Sequence, residues 1–291
     1  MWSPRNLSRM SDARVAVVTD STSYLPAELV RERGITVVPL QVVIAGTSYD
    51  EGAEASSGTV AEALRTRQPV TTSRPGPAAF AAAYARAAEA GSTAVVSVHL
   101  SAQMSGTVES ARLAAKESPV PVEVVDSESL GMGLGYAVLS ATAVAAAGGS
   151  MDEVAEAARK RAAASHSVFY VDTLEHLRRG GRIGAAAALL GSALAVKPLL
   201  QMVDGHIEAL EKVRTSAKAI ARLEEVAVGL AGSGPVDLAV HHLASPDRAD
   251  QLAARLRERV PGLGDLHVSE VGAVVGAHVG PGMLAVVVAP R

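Results

Sequence analysis

The sequence predicts an α/β chain in two parts: an N-terminal parallel doubly wound α/β domain and a C-terminal α+β domain with a mixed sheet. Three observations lead there. In the first half, short apolar runs rich in β-branched residues alternate with helical stretches, the rhythm of a parallel sheet. In the second half, residues 195–203 and 206–213 read as two strands joined at Asp204–Gly205, a strong hairpin signal that implies antiparallel pairing. The length of 291 residues suffices for two ordinary domains. We therefore divide the chain into a disordered extension (1–13), an α/β domain (14–160) and an α+β domain (161–291).

The first ten residues, MWSPRNLSRM, lack the apolar stretch of a secretory signal. A second methionine, Met10, opens MSDARVAVVTD and makes Met1 and Met10 competing starts. Residues 15–19 read as the first strand, Asp20 and Ser21 satisfy the following turn, and Pro26 suits the first turn of a helix that Gly34 ends. Residues 35–44 look like a second strand interrupted by Pro39, followed by a loop with Tyr49, Asp50 and Glu51. A helix over 59–67, a loop TTSRPGP (71–77) and a helix from Pro77 to Gly91 come next.

Residues 94–98 form a buried strand, and 107–116 a helix with Val108, Ala111 and Ala115 at helical spacing. The turn between them carries Ser101, Ser105, Gly106 and Thr107. Hydroxyls and free N–H groups at a helix N-terminus favour an anion, so Ser105 reads either as the centre of a carboxylate or phosphate site or as a simple N-cap. A strand at 122–125 enters DSESLGMGLG, whose Gly131, Gly133 and Gly135 allow close backbone approach before an Ala-rich helix to Ala147. Parallel sheets bind ligands beyond the carboxyl ends of their strands, where Asp20–Ser21, Ser105 and Asp126–Ser127 are all expected to crowd.

After a break at Gly148–Gly149, a helix covers 151–165 and a strand 168–171. TLEHLRRGGRIG then leads to a helix of small residues over 185–193. Helices over 218–230 and 248–260 flank a strand at 236–241. The last strands, 266–271 and 283–289, are separated only by GAHVGPG and are expected to pair with each other.

Composition narrows the function. Hydrophobic residues make up 48% but aromatics 3%, so the core is built from small aliphatic side chains. The formal net charge of −3 and the lack of a basic aromatic patch argue against nucleic acid. There is no cysteine, which excludes thiolate catalysis and cysteine metal sites and fits a reducing cytoplasm. The longest apolar run, 183–196, is too short to cross a bilayer, leaving at most transient membrane contact. Metal is not expected: His241 and His242 are adjacent on a strand and point to opposite faces, and His166 and His176 lack spaced carboxylate partners.

Seven segments, in order, carry a resemblance: VTDSTSYLP, TTSRPGP, MSGTVESA, VVDSESLGMGLG, FYVDTLEHLRRGGRIG, KPLLQMVDGHIEALEKVRT and GAHVGPG. Together they resemble the DegV family of bacterial fatty-acid-binding proteins, over about Val15 to Val288. The resemblance implies two domains enclosing one long-chain fatty acid, its carboxylate at the surface end of a tunnel. It implies Thr72, Ser105 and His278 as carboxylate partners, supported by Ser73, Gly106, Thr107 and Gly280. It further implies no catalytic group and no cofactor, and a partner: an ATP-dependent fatty acid kinase that converts the presented acid to an acyl phosphate for phospholipid synthesis. Arg182, Arg214 and Arg179 are then candidates for a kinase-docking face, although LRRGGRIG reads equally as an anion-binding loop or a solvated turn.

The residue chemistry agrees with this. Hydroxyls and an imidazole can hydrogen-bond a carboxylate, the imidazole more tightly if protonated. Neutral donors leave the carboxylate nucleophilic. Burial at roughly 0.8 kcal/mol per methylene would give about fifteen methylenes on the order of 12 kcal/mol. The small residues of 183–200 either line that slot or are ordinary close packing. Two departures stand out: Gly131 where the family commonly has Ser, and Arg74 and Gly76 where it commonly has Gln and Ser, which puts a cation beside Thr72.

Two other functional readings compete. A serine hydrolase would need Ser105, His278 and Asp20 or Asp126 as a triad, yet MSGTV lacks the Gly-x-Ser-x-Gly elbow. A small polar or phosphorylated ligand of dihydroxyacetone type would suit the hydroxyl-rich turns but leave an apolar slot unexplained. With no apolar helix stripe in excess, a monomer is expected.

Overall fold

The computed structural model describes residues 14–189 and 197–291; the expected extension (1–13) and the end of the small-residue helix (190–196) lie outside the described residues. The first half runs β1 (Val15–Asp20), α1 (Ala27–Glu32), β2 (Thr36–Val38), β3 (Gln41–Ile44), β4 (Thr47–Asp50), α2 (Ser57–Arg65), β5 (Val70–Ser73), α3 (Pro77–Glu89), β6 (Ala94–His99), α4 (Thr107–Ala115), β7 (Val122–Asp126), α5 (Met132–Ala146) and α6 (Met151–Ala164). The second half runs β8 (His166–Tyr170), α7 (Glu175–Arg179), a 3₁₀ turn (Gly184–Leu189), β9 (Lys197–Val203), β10 (His206–Val213), α8 (Ser216–Ala231), β11 (Val236–His242), α9 (Pro246–Arg259), β12 (Leu263–Glu270), α10 (Ala273–Val279) and β13 (Leu284–Pro290).

The first sheet is parallel throughout, in the order β2-β1-β6-β7. Its strands are apolar runs because both faces are covered. Val17, Val96, Val98 and Val125 meet α5 and α6 on one face, while Val18 and Val95 meet α3 and α4 on the other. The second sheet is mixed, in the order β10-β9-β8-β13-β11-β12, with β11–β12 its one parallel pair. Alternation along its strands separates two faces. Val168, Tyr170, Leu199, Leu238 and Val240 pack beneath α8 and α9. Phe169, Val171, Leu200 and Leu243 belong to a different cluster, which also takes in Val271, Val275 and Val279 at α10.

Four expectations are corrected. Residues 35–44 are two strands in two sheets: Pro39 has no N–H to give a ladder, and the chain leaves the parallel sheet there. The segment 47–50 and the start of TTSRPGP are strands rather than loops, pairing with β3 on either side in a small antiparallel sheet, β4-β3-β5. The stretch around GAHVGPG contains α10, masked in the sequence by Gly272, Gly276 and Gly280. Consequently β12 and β13 are not neighbours: both flank β11. Finally, 184–189 is 3₁₀ rather than α-helical.

The small sheet sets the position of α10. Its Val42 and Ile44 pack with Val60 of α2 and with Ala273 and Ala277 of α10. A helix from the end of the chain is thus held against strands from its beginning.

Candidate ligand-binding site

Between the inner face of the mixed sheet, α10 and the β6–α4 turn lies a cavity of about 280 Å³. Its walls are mainly aliphatic and aromatic, including Leu100, Leu130, Phe169, Met202, Val275 and Met283. Polar side chains gather at one corner: Thr72, Ser73 and Arg74 from β5 and its end, Ser105 from the β6–α4 turn, His278 from α10 and Arg182. An apolar slot with a few convergent polar groups is the usual form of a small-molecule site.

Each polar side chain reaches that corner for a local reason. Thr72 pairs with Val42 in the small sheet, so β3 fixes its height. His278 sits in the last turn of α10, with its Nε2 2.8 Å from Thr72 Oγ1. Its Nδ1 is buried beside Gly180, where any side chain would collide with the ring, and it has no hydrogen-bond partner among the described residues. Burial, reinforced by the Arg182 charge, pushes the ring down to about 4, so His278 is neutral at neutral pH. The tighter hold that a protonated ring would give an anion is therefore absent at neutral pH in the chain by itself.

Ser105 does not cap α4. The cap position is Gly106, no side chain closes that helix end, and Ser105 Oγ lies 2.8 Å from Thr107 Oγ1. Gly106 carries no side chain because the Arg74 guanidinium lies across it. The cation beside Thr72 therefore folds over the turn that bears Ser105. Arg182 is half-buried, held by the carbonyls of Met104 (3.1 Å) and Gly180 (2.6 Å), which makes it part of the site wall. Arg179 is exposed and ion-paired with Glu175 at 2.8 Å, and Arg214 is exposed just beyond β10. Ser73 lines the corner, while Gly280 ends α10 with a positive φ of 74° and packs on His176 outside the cavity.

The expected crowding at the sheet edge is only partly found. Ser105 faces the cavity, but Asp20 is fully buried and committed elsewhere. It accepts from Thr22 N, Leu100 N and His99 Nδ1, each at 3.0 Å, and His99 Nε2 lies 2.7 Å from Ser97 Oγ, itself 2.9 Å from Tyr84 OH. Ser21 bonds Glu51 and the N–H of Leu40. Asp126 accepts from the backbone of Ala102 and Glu128. No hydrolase triad is assembled from Ser105, His278 and either aspartate, since Ser105 meets Thr107 and both aspartates have other partners.

Several contributors have no local sequence signal. Glu51 of the β4 end accepts from Val274 N at 2.8 Å, capping α10 from 223 residues away. His241 lines the cavity, accepting from Met132 N and placing Nδ1 3.0 Å from Ser269 Oγ. Among the described residues no cluster of potential metal ligands occurs, and no helix is long and apolar enough to cross a membrane.

The family model for DegV proteins, described as uncharacterised, matches residues 14–291. The chain belongs to the DegV family. It is 62% identical over 277 residues to a DegV domain-containing protein of Streptomyces coelicolor, covering 95% of this chain and 99% of the relative. A DegV domain-containing protein of Mycobacterium bovis is 40% identical over 275 residues, 94% of this chain and 96% of its own. Among solved DegV structures, one from Thermus thermophilus, described by its fatty acid binding, superposes with a TM-score of 0.90 at 34% identity, over 96% of this chain and 100% of that one. The Bacillus subtilis DegV, described as a fatty acid binding protein, gives 0.89 at 33% identity over the same shares. The DegV architecture of parallel and mixed sheets is thus shared across this range of identity.

Proposed function

We propose that this chain binds one long-chain fatty acid in the cavity between its two sheets, with the carboxylate at the Thr72–Ser105 corner. The observation that carries this reading is a mainly apolar cavity whose polar side chains gather chiefly at one corner, in a fold shared with fatty-acid-binding DegV proteins. In its Nε2–H tautomer His278 turns that hydrogen toward Thr72 Oγ1, 2.8 Å away. That N–H donates to Thr72 Oγ1, and the Thr72 hydroxyl is then free to donate to a carboxylate oxygen. Ser105 supplies a second donor, and Arg74 a cation at the rim. An anion held mainly by neutral hydroxyls keeps its nucleophilicity.

The further step is presentation to a separate ATP-dependent kinase. The carboxylate oxygen attacks the terminal phosphorus of ATP, giving acyl phosphate and ADP, for use in phospholipid synthesis. The chain itself then acts as a cytoplasmic ligand-binding subunit and contributes no catalytic group or cofactor. Arg179 and Arg214, both exposed, are the docking candidates; Arg182 is engaged in the site. An apolar cavity of this kind would be poorly matched by a small polar ligand.

Native mass spectrometry of the purified full chain, with extraction of any bound small molecule, tests this. One fatty acid per chain is the expected result. A chain that stays empty when offered palmitate and oleate would overturn it. Ester hydrolysis should stay at background.

A further inference from the structure

One hydroxyl in the cavity belongs to no part of the polar corner. Ser167, on β8, lies in the floor of the cavity, with apolar residues across the sheet at Val287 and two positions on at Phe169. It pairs with Val287 of β13, and Phe169 two residues on pairs with Ala285. Met202 and Ile207 lie on the same floor. The Ser167 Oγ is buried and has no hydrogen-bond partner among the described residues. Gly133 of α5 lies beside it: a Cβ there would stand 3.2 Å from the Ser167 hydroxyl and collide with that of Ser129, which makes no hydrogen bond to Ser167. Ser167 and Met202 also line a separate outer cleft with Asp126, Ser129 and Arg159, so the wall is thin there.

A purely hydrocarbon chain laid over this floor leaves the hydroxyl desolvated and unpaired, which is unfavourable. We propose that the cavity is selective for an acyl chain bearing an oxygen function, a hydroxyl in the simplest case, placed over Ser167. This rests on the fatty-acid reading and specifies its substrate class. Ser167 is then the specificity-determining residue, hydrogen-bonding the chain oxygen from the cavity floor.

The test is displacement of a fluorescent fatty acid from the full delipidated chain by palmitate and by a positional series of monohydroxypalmitates. The wild-type chain should bind one hydroxy isomer about ten-fold more tightly than palmitate, as expected for one recovered buried hydrogen bond. In Ser167→Ala that preference should vanish while palmitate binds as well or better; Ser167→Thr should keep it. If no isomer is preferred, or if the preference survives in Ser167→Ala, the proposal is wrong and the hydroxyl is paired by solvent alone. If neither palmitate nor any isomer displaces the probe, the fatty-acid reading itself fails, and the proposal with it.

Discussion

Thr72 and His278 meet at 2.8 Å although 206 positions separate them in the chain. The contact joins a short edge strand of the small sheet to the last turn of α10. It defines the polar corner of the cavity, and the first expectation rests on it. Thr72→Val should weaken carboxylate binding by about 1–3 kcal/mol, roughly five- to 150-fold, while Thr72→Ser keeps most of it. Calorimetric titration with oleate would show this. Equal affinities for wild type and Thr72→Val would remove Thr72 from the site.

The two cavity histidines give a pH dependence. Burial lowers His278 and His241 from 6.5 to about 4. A base with a depressed folded pKa contributes stability that is fully present above 6.5 and lost as pH falls toward 4. At ~1.4 kcal/mol per pH unit, each ring disfavours the folded state by on the order of 3 kcal/mol at the acid end. Urea midpoints should therefore fall between pH 6.5 and 4, and His278→Gln should flatten part of that limb. An unchanged limb would mean the ring titrates normally. A bound carboxylate near the corner should raise the His278 pKa, readable by ring proton NMR.

Glu51 positions α10. It receives the N–H of Val274 in the first turn, and Gly272 is bare because any side chain there would strike its carboxylate. Glu51→Ala should cost about 1–2 kcal/mol in stability and weaken ligand binding through displacement of His278. Glu51→Gln, which keeps an acceptor, should cost less. Burial raises the Glu51 pKa, so its protonated form is favoured in the fold and the associated stability is lost as pH rises past its folded value. The acid limb of Glu51→Gln should therefore be steeper than that of the wild type.

Asp237 is a stability residue remote from the cavity corner. Its side chain is 9% exposed and meets Arg161 at 2.6 Å and the C-terminal Arg291 at 2.6 Å, while Arg161 also lies over the Tyr136 ring. Asp237→Ala strands a largely buried Arg161 and should destabilise the chain by roughly 3–5 kcal/mol. Oleate affinity, measured where the variant is still folded, should not change. A loss of affinity there would tie this ion cluster to the site.

The docking candidates separate from the binding residues. Arg179→Glu and Arg214→Glu should leave oleate affinity unchanged and reduce acyl phosphate formation by a cognate kinase, assayed by ADP release. Loss of lipid binding would show that these arginines serve the cavity.

Most helices and strands are legible because they repeat at periods of 3.6 or 2 and are bounded by Gly, Pro or capping residues. Ser150 is such a boundary, closing a capping box with Glu153. The failures share a cause. α10 carries glycines at Gly272, Gly276 and Gly280, which locally signal a loop; tertiary packing on the small sheet and on Leu243 overrides that signal. Ser105 looks equally like a cap and a ligand group, and only its geometry, with Oγ on Thr107 and the helix end uncapped, excludes the cap.

The two-part α/β architecture, the family and the residue types available for an anion are readable from sequence alone, because periodicity, turn chemistry and motif order are local properties of the chain. Which of those residues share a site is settled by tertiary structure. It turned Asp20 and Asp126 away into their own networks, brought Thr72 to His278, drew Arg182 into the wall and left Ser167 without a partner. These are contacts across tens to hundreds of positions, fixed by strand register and burial, and no local pattern encodes them.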